Sequence, residues 1–134
     1  MFDWDTMLNF QGETGPYIQY IYVRTKSVLE KAGYMPKIED VDFNVLTDEQ
    51  SVNTIKTIYN FENVLKQVTD KNEPSLLSRY LIDLSQAFSS FYNANKIVVE
   101  DKRLQHARLY LSNMVGSILK VGSGLLGIEM PDKM

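Results

Sequence analysis

Cysteine is absent from this 134-residue chain, and histidine occurs once, as His106. Without thiols there is no disulfide framework, thiolate metal site or cysteine nucleophile, and the composition is compatible with a reducing cytoplasm. A single histidine excludes multi-histidine zinc sites. No run of about 18 apolar residues occurs, so no membrane-spanning helix is expected. The opening MFDWDTMLNF carries acids and no basic leader of a secretory signal, which makes a cytoplasmic location the expectation. Excess positive charge is lacking too: 14 Lys and Arg stand against 17 Asp and Glu, a net charge of −3. Whole-molecule electrostatics therefore do not draw the protein to a polyanion or an acidic membrane. The length suits one domain over residues 1–134.

What the chain does have is aromatic residues: six Phe, one Trp and eight Tyr. It also has a period near 3.6 in several segments and no sustained alternation, which predicts an all-α fold of about five helices. Asp3 to Phe10 reads as one or two turns, with Phe2, Trp4, Leu8 and Phe10 available for packing. Gly15-Pro16 opens a helix to about Ala32, with proline preset at the first helical position and Gly33 as the stop. Tyr34 to Leu46 has no clear period and reads as a connection. Thr47 and Gln50 have capping-box spacing, so a helix with the stripe Val52, Ile55, Ile58 and Tyr59 is predicted from there. The phase breaks around Asn60-Phe61, and Val64, Leu65 and Val68 fit a second, angled helix. Pro74 opens the next helix, to about Ala94, with Leu76, Leu77, Tyr80, Leu81, Leu84, Ala87, Phe88 and Phe91 at core spacing. The last helix is predicted from about Glu100 to Val121, burying Leu104, Ala107, Leu111, Met114, Val115, Ile118 and Leu119.

Few groups look poised for catalysis. Gly122-Ser123-Gly124-Leu125-Leu126-Gly127 has dinucleotide-loop spacing, but that loop works between a strand and the start of a helix, and here it follows a helix. It reads as a helix C-terminus with a tight turn. The acidic pairs Glu39/Asp40, Asp48/Glu49 and Glu100/Asp101 are adjacent in sequence, so their side chains diverge. His106 has no nucleophile to serve as a base for.

The helix after Pro16 carries two stripes. Ile18, Ile21, Thr25, Val28, Leu29 and Ala32 form a core face, while Tyr17, Tyr20, Arg24, Ser27 and Lys31 run in steps of three and four along another. Tyrosines beside a guanidinium can take up unpaired bases, which stack on the rings while the cation meets phosphate or a base edge. The same tyrosines can instead pack against a neighbouring helix with their hydroxyls at the rim.

Three blocks of the chain carry a family resemblance: FDWDTMLNFQGETGPYIQYIYVR, EPSLLSRYLIDLSQAFSSFYN and ARLYLSNMVGSILKVGSGLLGIEMPDKM. Together they resemble the C-terminal anticodon-binding domain of bacterial-type arginyl-tRNA synthetases, across essentially the whole chain from Phe2 to Met134. Tyr34 to Asn72 resembles it only in hydrophobic pattern. The resemblance implies a helical bundle of a class I aminoacyl-tRNA synthetase, gripping the anticodon stem and loop of arginine tRNA and favouring cytosine at the middle anticodon position. The catalytic domain, which comes first in the family, carries two ATP-binding signatures that do not occur here. The chain is thus expected to be inactive alone, to need no cofactor, with ATP and magnesium belonging to the catalytic domain, and to be a monomer.

By motif position the resemblance also implies roles. In GPYIQYIYVR the two tyrosines and the arginine directed at the anticodon loop fall on Tyr17, Tyr20 and Arg24. In SSFYNANK the aromatic of the base pocket falls on Tyr92, and one turn later Lys96 stands where some relatives place an aromatic. Met134 resembles the terminal methionine that closes on a splayed base, and reads as a native terminus. The acid-Ala-Leu-Arg signature of the domain class is not literal: the chain reads Gln105-His106-Ala107-Arg108-Leu109. A reading from another class remains, a helical protein-interaction domain docking a partner through the Tyr17/Tyr20/Arg24 face, which predicts no dependence on RNA sequence. Nine acids and five bases in residues 1–60, and eight and nine in 61–134, predict weak, salt-sensitive RNA affinity for the chain alone.

Overall fold

In a computed structural model that describes residues 15–131, every regular element is helical. Five α-helices follow in order: α1 (Gly15–Ala32), α2 (Glu49–Tyr59), α3 (Phe61–Lys71), α4 (Pro74–Ala94) and α5 (Lys102–Leu125). Two single 3-10 turns, Ile38–Asp40 and Phe43–Val45, lie in the connection between α1 and α2. The predicted prelude with Phe2 and Trp4 falls outside the described residues. No helix among those described is long and apolar enough to cross a membrane.

The core is a single cluster drawn from α1, α3, α4 and α5, with Ile55 and Ile58 of α2 packed against it. Ile18, Ile21 and Tyr22 of α1, Leu81, Leu84, Phe88 and Phe91 of α4, and Leu109, Leu111, Val115 and Leu119 of α5 are fully or almost fully buried. Burying a side chain of this size contributes about 1.5–3 kcal/mol, so these positions dominate the stability of the bundle. Proline opens α4 as predicted, and Gly33, with φ +83°, ends α1 by donating to the Leu29 carbonyl at 3.0 Å.

Several expectations need correction. Asp48, not Thr47, caps α2: its carboxylate accepts from the Ser51 amide at 3.1 Å. A carboxylate is the stronger acceptor for the unsatisfied amides of a helix start, and it takes the cap one residue further on. Tyr59, assigned to the stripe of α2, is 82% exposed, and the fully buried positions of that helix are Ser51 and Thr54. Their small side chains let α2 approach α4, and the Thr54 hydroxyl lies 3.3 Å from the Ala87 carbonyl. α5 begins at Lys102, capped by the Asp101 carboxylate on the Arg103 and Leu104 amides.

α5 also runs past Val121 to Leu125, because Gly122 lies directly under the Leu81 side chain. A Cβ there would stand 2.7 Å from Leu81 Cδ2, so the glycine serves helix packing rather than a turn. The turn comes at Gly127, φ +79°, where the Ile128 amide reaches the Ser123 carbonyl at 2.9 Å and the Gly127 amide reaches Gly124 at 3.0 Å. That pair of bonds is a Schellman closure, which needs a left-handed residue at this position. The reading of the glycine run as a helix end thus holds, four residues further along than predicted.

At Gly116 α5 packs tightly against α1: a Cβ there would lie 2.5 Å from Thr25 Oγ1 and 3.3 Å from Thr25 Cβ. Thr25 is β-branched, buried and held by its hydroxyl to the Tyr22 carbonyl at 2.6 Å, so it cannot turn aside. Gly116→Ala is therefore expected to destabilise the protein by about 1–3 kcal/mol in urea titration, as overpacking does, despite alanine's better helix propensity. Unchanged or raised stability would show that the two helices separate freely.

Candidate nucleic-acid interface

α1 and the end of α4 bring three of the predicted residues together. Tyr20 and Arg24 are one turn apart on α1, and the Arg24 guanidinium donates to the Tyr20 hydroxyl. Its central carbon lies 4.7 Å from the Tyr20 ring centroid and 4.5 Å from that of Tyr92, which comes from the last turn of α4. One cation therefore joins two aromatic rings that stand 72 positions apart in the chain, on different helices. Tyr20 is 47% exposed and Tyr92 36% exposed, while Arg24 is half-buried between them. Exposed rings held by a guanidinium offer preset stacking surfaces, and each cation–ring contact is worth about 0.5–1 kcal/mol at an exposed site.

The buried side of α1 fixes this display. Ile18, Ile21, Tyr22, Thr25 and Val28 pack inward, so Tyr20 and Arg24 must face out. Tyr22 was not assigned to the core from sequence, although its spacing from Ile18 and Thr25 places it there; it is 1% exposed. Tyr92 is steadied from behind by Phe88, ring centroids 6.1 Å apart.

The remaining predicted residues are placed differently. Tyr17 is partly buried and packs against the core cluster, as a tyrosine between helices does. Lys96 is exposed in the connection after α4. Met134 lies outside the described residues. His106 is half-buried, edge-on to Tyr34 with centroids 5.6 Å apart.

Sequence reasoning missed the brace behind Tyr92 and Lys96. From α5, Arg108 donates through Nη1 to the Lys96 carbonyl at 2.5 Å and through Nη2 to Asn95 Oδ1 at 3.0 Å. Asn95 Nδ2 in turn donates to the Phe91 carbonyl and to Asp48 Oδ2, both at 3.1 Å. The cap of α2, the end of α4 and the middle of α5 thus meet at one amide. Only the broken signature block around Arg108 hinted at it, and no local pattern ties Asp48 to Asn95.

Partial burial acts to raise the Asp48 pKa, but the hydrogen bonds from Ser51 and Asn95 together outweigh it and hold the carboxyl below its ordinary 3.8. A carboxyl depressed on folding stabilises the protein above its unfolded pKa, and that contribution disappears as pH falls through the folded value. The stability difference between the wild-type chain and Asp48→Asn is therefore expected to be full at pH 7 and to shrink below about pH 4. A difference independent of pH between 7 and 3 would contradict this network. On the other side of α5, the Arg103 hydrogen bond holds the Asp42 carboxyl low and ties the connection before α2 to α5. Among the described residues no cluster of three His, Asp or Glu could hold a metal ion.

Residues 18–134 match the DALR anticodon binding domain. The chain belongs to this family. Among its relatives, the arginine–tRNA ligase of Halothermothrix orenii is 46% identical over 134 residues, all of this chain and 24% of the ligase. That of Alkaliphilus metalliredigens is 44% identical over 133 residues, 99% of this chain and 23% of the ligase. In three dimensions the chain resembles the Thermus thermophilus arginyl-tRNA synthetase with a TM-score of 0.81 at 30% identity, covering 95% of this chain and 22% of that one. The chain thus spans about a quarter of the length of the ligases it matches. As a DALR domain it conforms to the all-α expectation in its described helices, and its aromatic-cationic cluster lies within the matched region.

Proposed function

We propose that this DALR domain recognises the anticodon loop of arginine tRNA as the C-terminal domain of an arginine–tRNA ligase. The observation that carries the reading is the Arg24 guanidinium set against both Tyr20 and Tyr92 on an exposed face. Bases of the loop unstack and lie on these rings, and their edges are read by hydrogen bonds, with Arg24 the donor at the centre. Tyr17 flanks the cluster and Met134 closes over the splayed base, while Lys96 meets phosphate rather than stacking. Contacts to phosphate add affinity without sequence information.

In this reading the domain works as a monomer in the cytoplasm and carries no cofactor. ATP and magnesium serve the catalytic part of the ligase, so the chain alone does not activate arginine. The net charge of −3 is no obstacle, since stacking needs a local aromatic-basic face and not a basic protein.

The Arg24 side-chain N–H resonance tests the proposal in solution. Addition of an anticodon stem–loop of arginine tRNA to the 134-residue chain is expected to shift it strongly. A resonance that stays in place while RNA binds elsewhere would move the interface off this face.

A further inference from the structure

Tyr92 sits in the last turn of α4, and a helix end is where geometry is hardest to keep, because its final carbonyls have no partner within the helix and the turn frays. Here the turn is locked from outside. The Phe91 carbonyl accepts from both the backbone amide and the side-chain amide of Asn95, each at 3.1 Å. Asn95 Nδ2 also donates to Asp48 Oδ2, and Asn95 Oδ1 accepts from Arg108 Nη2 at 3.0 Å. Arg108 Nη1 pins the carbonyl of the next residue, Lys96. Arg108 is a poor choice for stability alone. It is half-buried, both oxygens it meets are uncharged, and its Nε–H is buried with no hydrogen-bond partner among the described residues. A buried polar group left unpaired is costly, so the value of the guanidinium lies in the geometry it imposes: donors in one rigid plane fix Asn95 and Lys96 against α5.

Resting on the anticodon-loop reading, we propose that Arg108 is a specificity-determining positioning residue: acting through Asn95, it holds the last turn of α4 so that the Tyr92 ring stays against the Arg24 guanidinium, and it touches no RNA itself. Tyr20 and Arg24 share α1, and a hydrogen bond within one turn of that helix sets their spacing. Tyr92 has no such local tie. It meets Arg24 from another helix, 4.5 Å from ring centroid to guanidinium carbon, and Phe88 supports its ring without fixing where the turn ends. The spacing across the two helices therefore depends on the anchored turn. Groups that read a ligand hold productive geometry only when outer hydrogen bonds lock them, so releasing Arg108 opens the Arg24–Tyr92 pair and blurs the choice between bases.

The first test needs no RNA. In the 134-residue chain, Tyr92→Ala measures how far the ring current of Tyr92 shifts the Arg24 side-chain N–H resonance. Arg108→Gln is expected to move that resonance in the same direction by a comparable amount, with the circular dichroism spectrum unchanged. Arg108→Lys is the milder variant: it keeps the charge but replaces the planar fork with a single ammonium, and should move the resonance likewise. Arg103→Gln unties a different connection from the same helix and should leave it in place, which a merely structural role for Arg108 would also predict of the Arg108 variants. The second test titrates two anticodon stem–loops, one of arginine tRNA and one altered only at the middle anticodon base. Both Arg108 variants should lower the preference for the first by about three- to tenfold, the scale of coupling within one hydrogen-bond network. An Arg24 resonance at its wild-type position in both variants, or an unchanged preference beside a wild type that discriminates, would overturn the proposal. A wild type without preference would overturn the anticodon reading, on which the resonance measured without RNA does not depend.

Discussion

Tyr20→Ala is expected to weaken binding of arginine tRNA by more than tenfold while leaving the fold intact. The ring is 47% exposed, so removing it opens no cavity and uncovers no buried polar group. What is lost is a stacking platform, worth about 1–3 kcal/mol per base, together with one of the two rings that hold the Arg24 guanidinium. The Tyr20 hydroxyl also accepts a hydrogen bond from Arg24, so the truncation releases the cation toward Tyr92 alone. Tyr20→Phe separates these effects: it keeps the ring and removes the acceptor, and should recover most of the affinity. Filter binding or fluorescence titration with intact tRNA reads the difference. Normal affinity in Tyr20→Ala with an unchanged circular dichroism spectrum would remove the ring from the interface.

The largest loss of stability is expected from Phe88→Ala, about 3–5 kcal/mol in urea unfolding. Phe88 is 0% exposed in the middle of α4, with ring contacts to Phe91 at 5.9 Å and Tyr92 at 6.1 Å. Its neighbours in the cluster come from rigid helices on both sides, so the site cannot collapse around an alanine. The same substitution takes away the support behind Tyr92 and should weaken RNA binding in whatever fraction remains folded. A cost below about 1.5 kcal/mol would mean that the core repacks around the gap. Tyr80 shows a different way of belonging to the core: its phenol is pushed upward in pKa by burial and donates to the Thr57 carbonyl at 2.6 Å, tying α4 to α2.

The helices were legible because each follows from a local rule. Pro16 and Pro74 open helices, Gly33 ends one, and the 3.6 period of α4 marks its buried face from Leu77 to Phe91. Local rules also ranked wrongly where two candidates competed, as at Thr47 and Asp48, where the additional bond from Asn95 favours the carboxylate. The end of α5 was read too early because glycine in a helix is costly, and only the Leu81 side chain lying on Gly122 explains its presence there.

For the interface, the stripe of Tyr20 and Arg24 was visible in the spacing of α1, but its completion by Tyr92 came from resemblance and not from pattern. Nothing local connects residues on α1 and α4; the Ile18–Tyr22–Thr25 face packed into the bundle does so. The Arg108–Asn95–Asp48 brace is harder still to read, since it joins residues 13 and 47 positions apart through side chains alone. Tyr17 has the spacing of the outward stripe, yet it is partly buried and packs against the core cluster.

The most direct test of the central claim is a titration of the 134-residue chain with arginine tRNA and with the same tRNA altered only at the middle anticodon base. Recognition by the Tyr20/Arg24/Tyr92 cluster predicts at least tenfold tighter binding of the unaltered tRNA, with the difference abolished in Arg24→Gln. Equal affinities for the two tRNAs would contradict it and would favour a helical domain that docks a protein on this face.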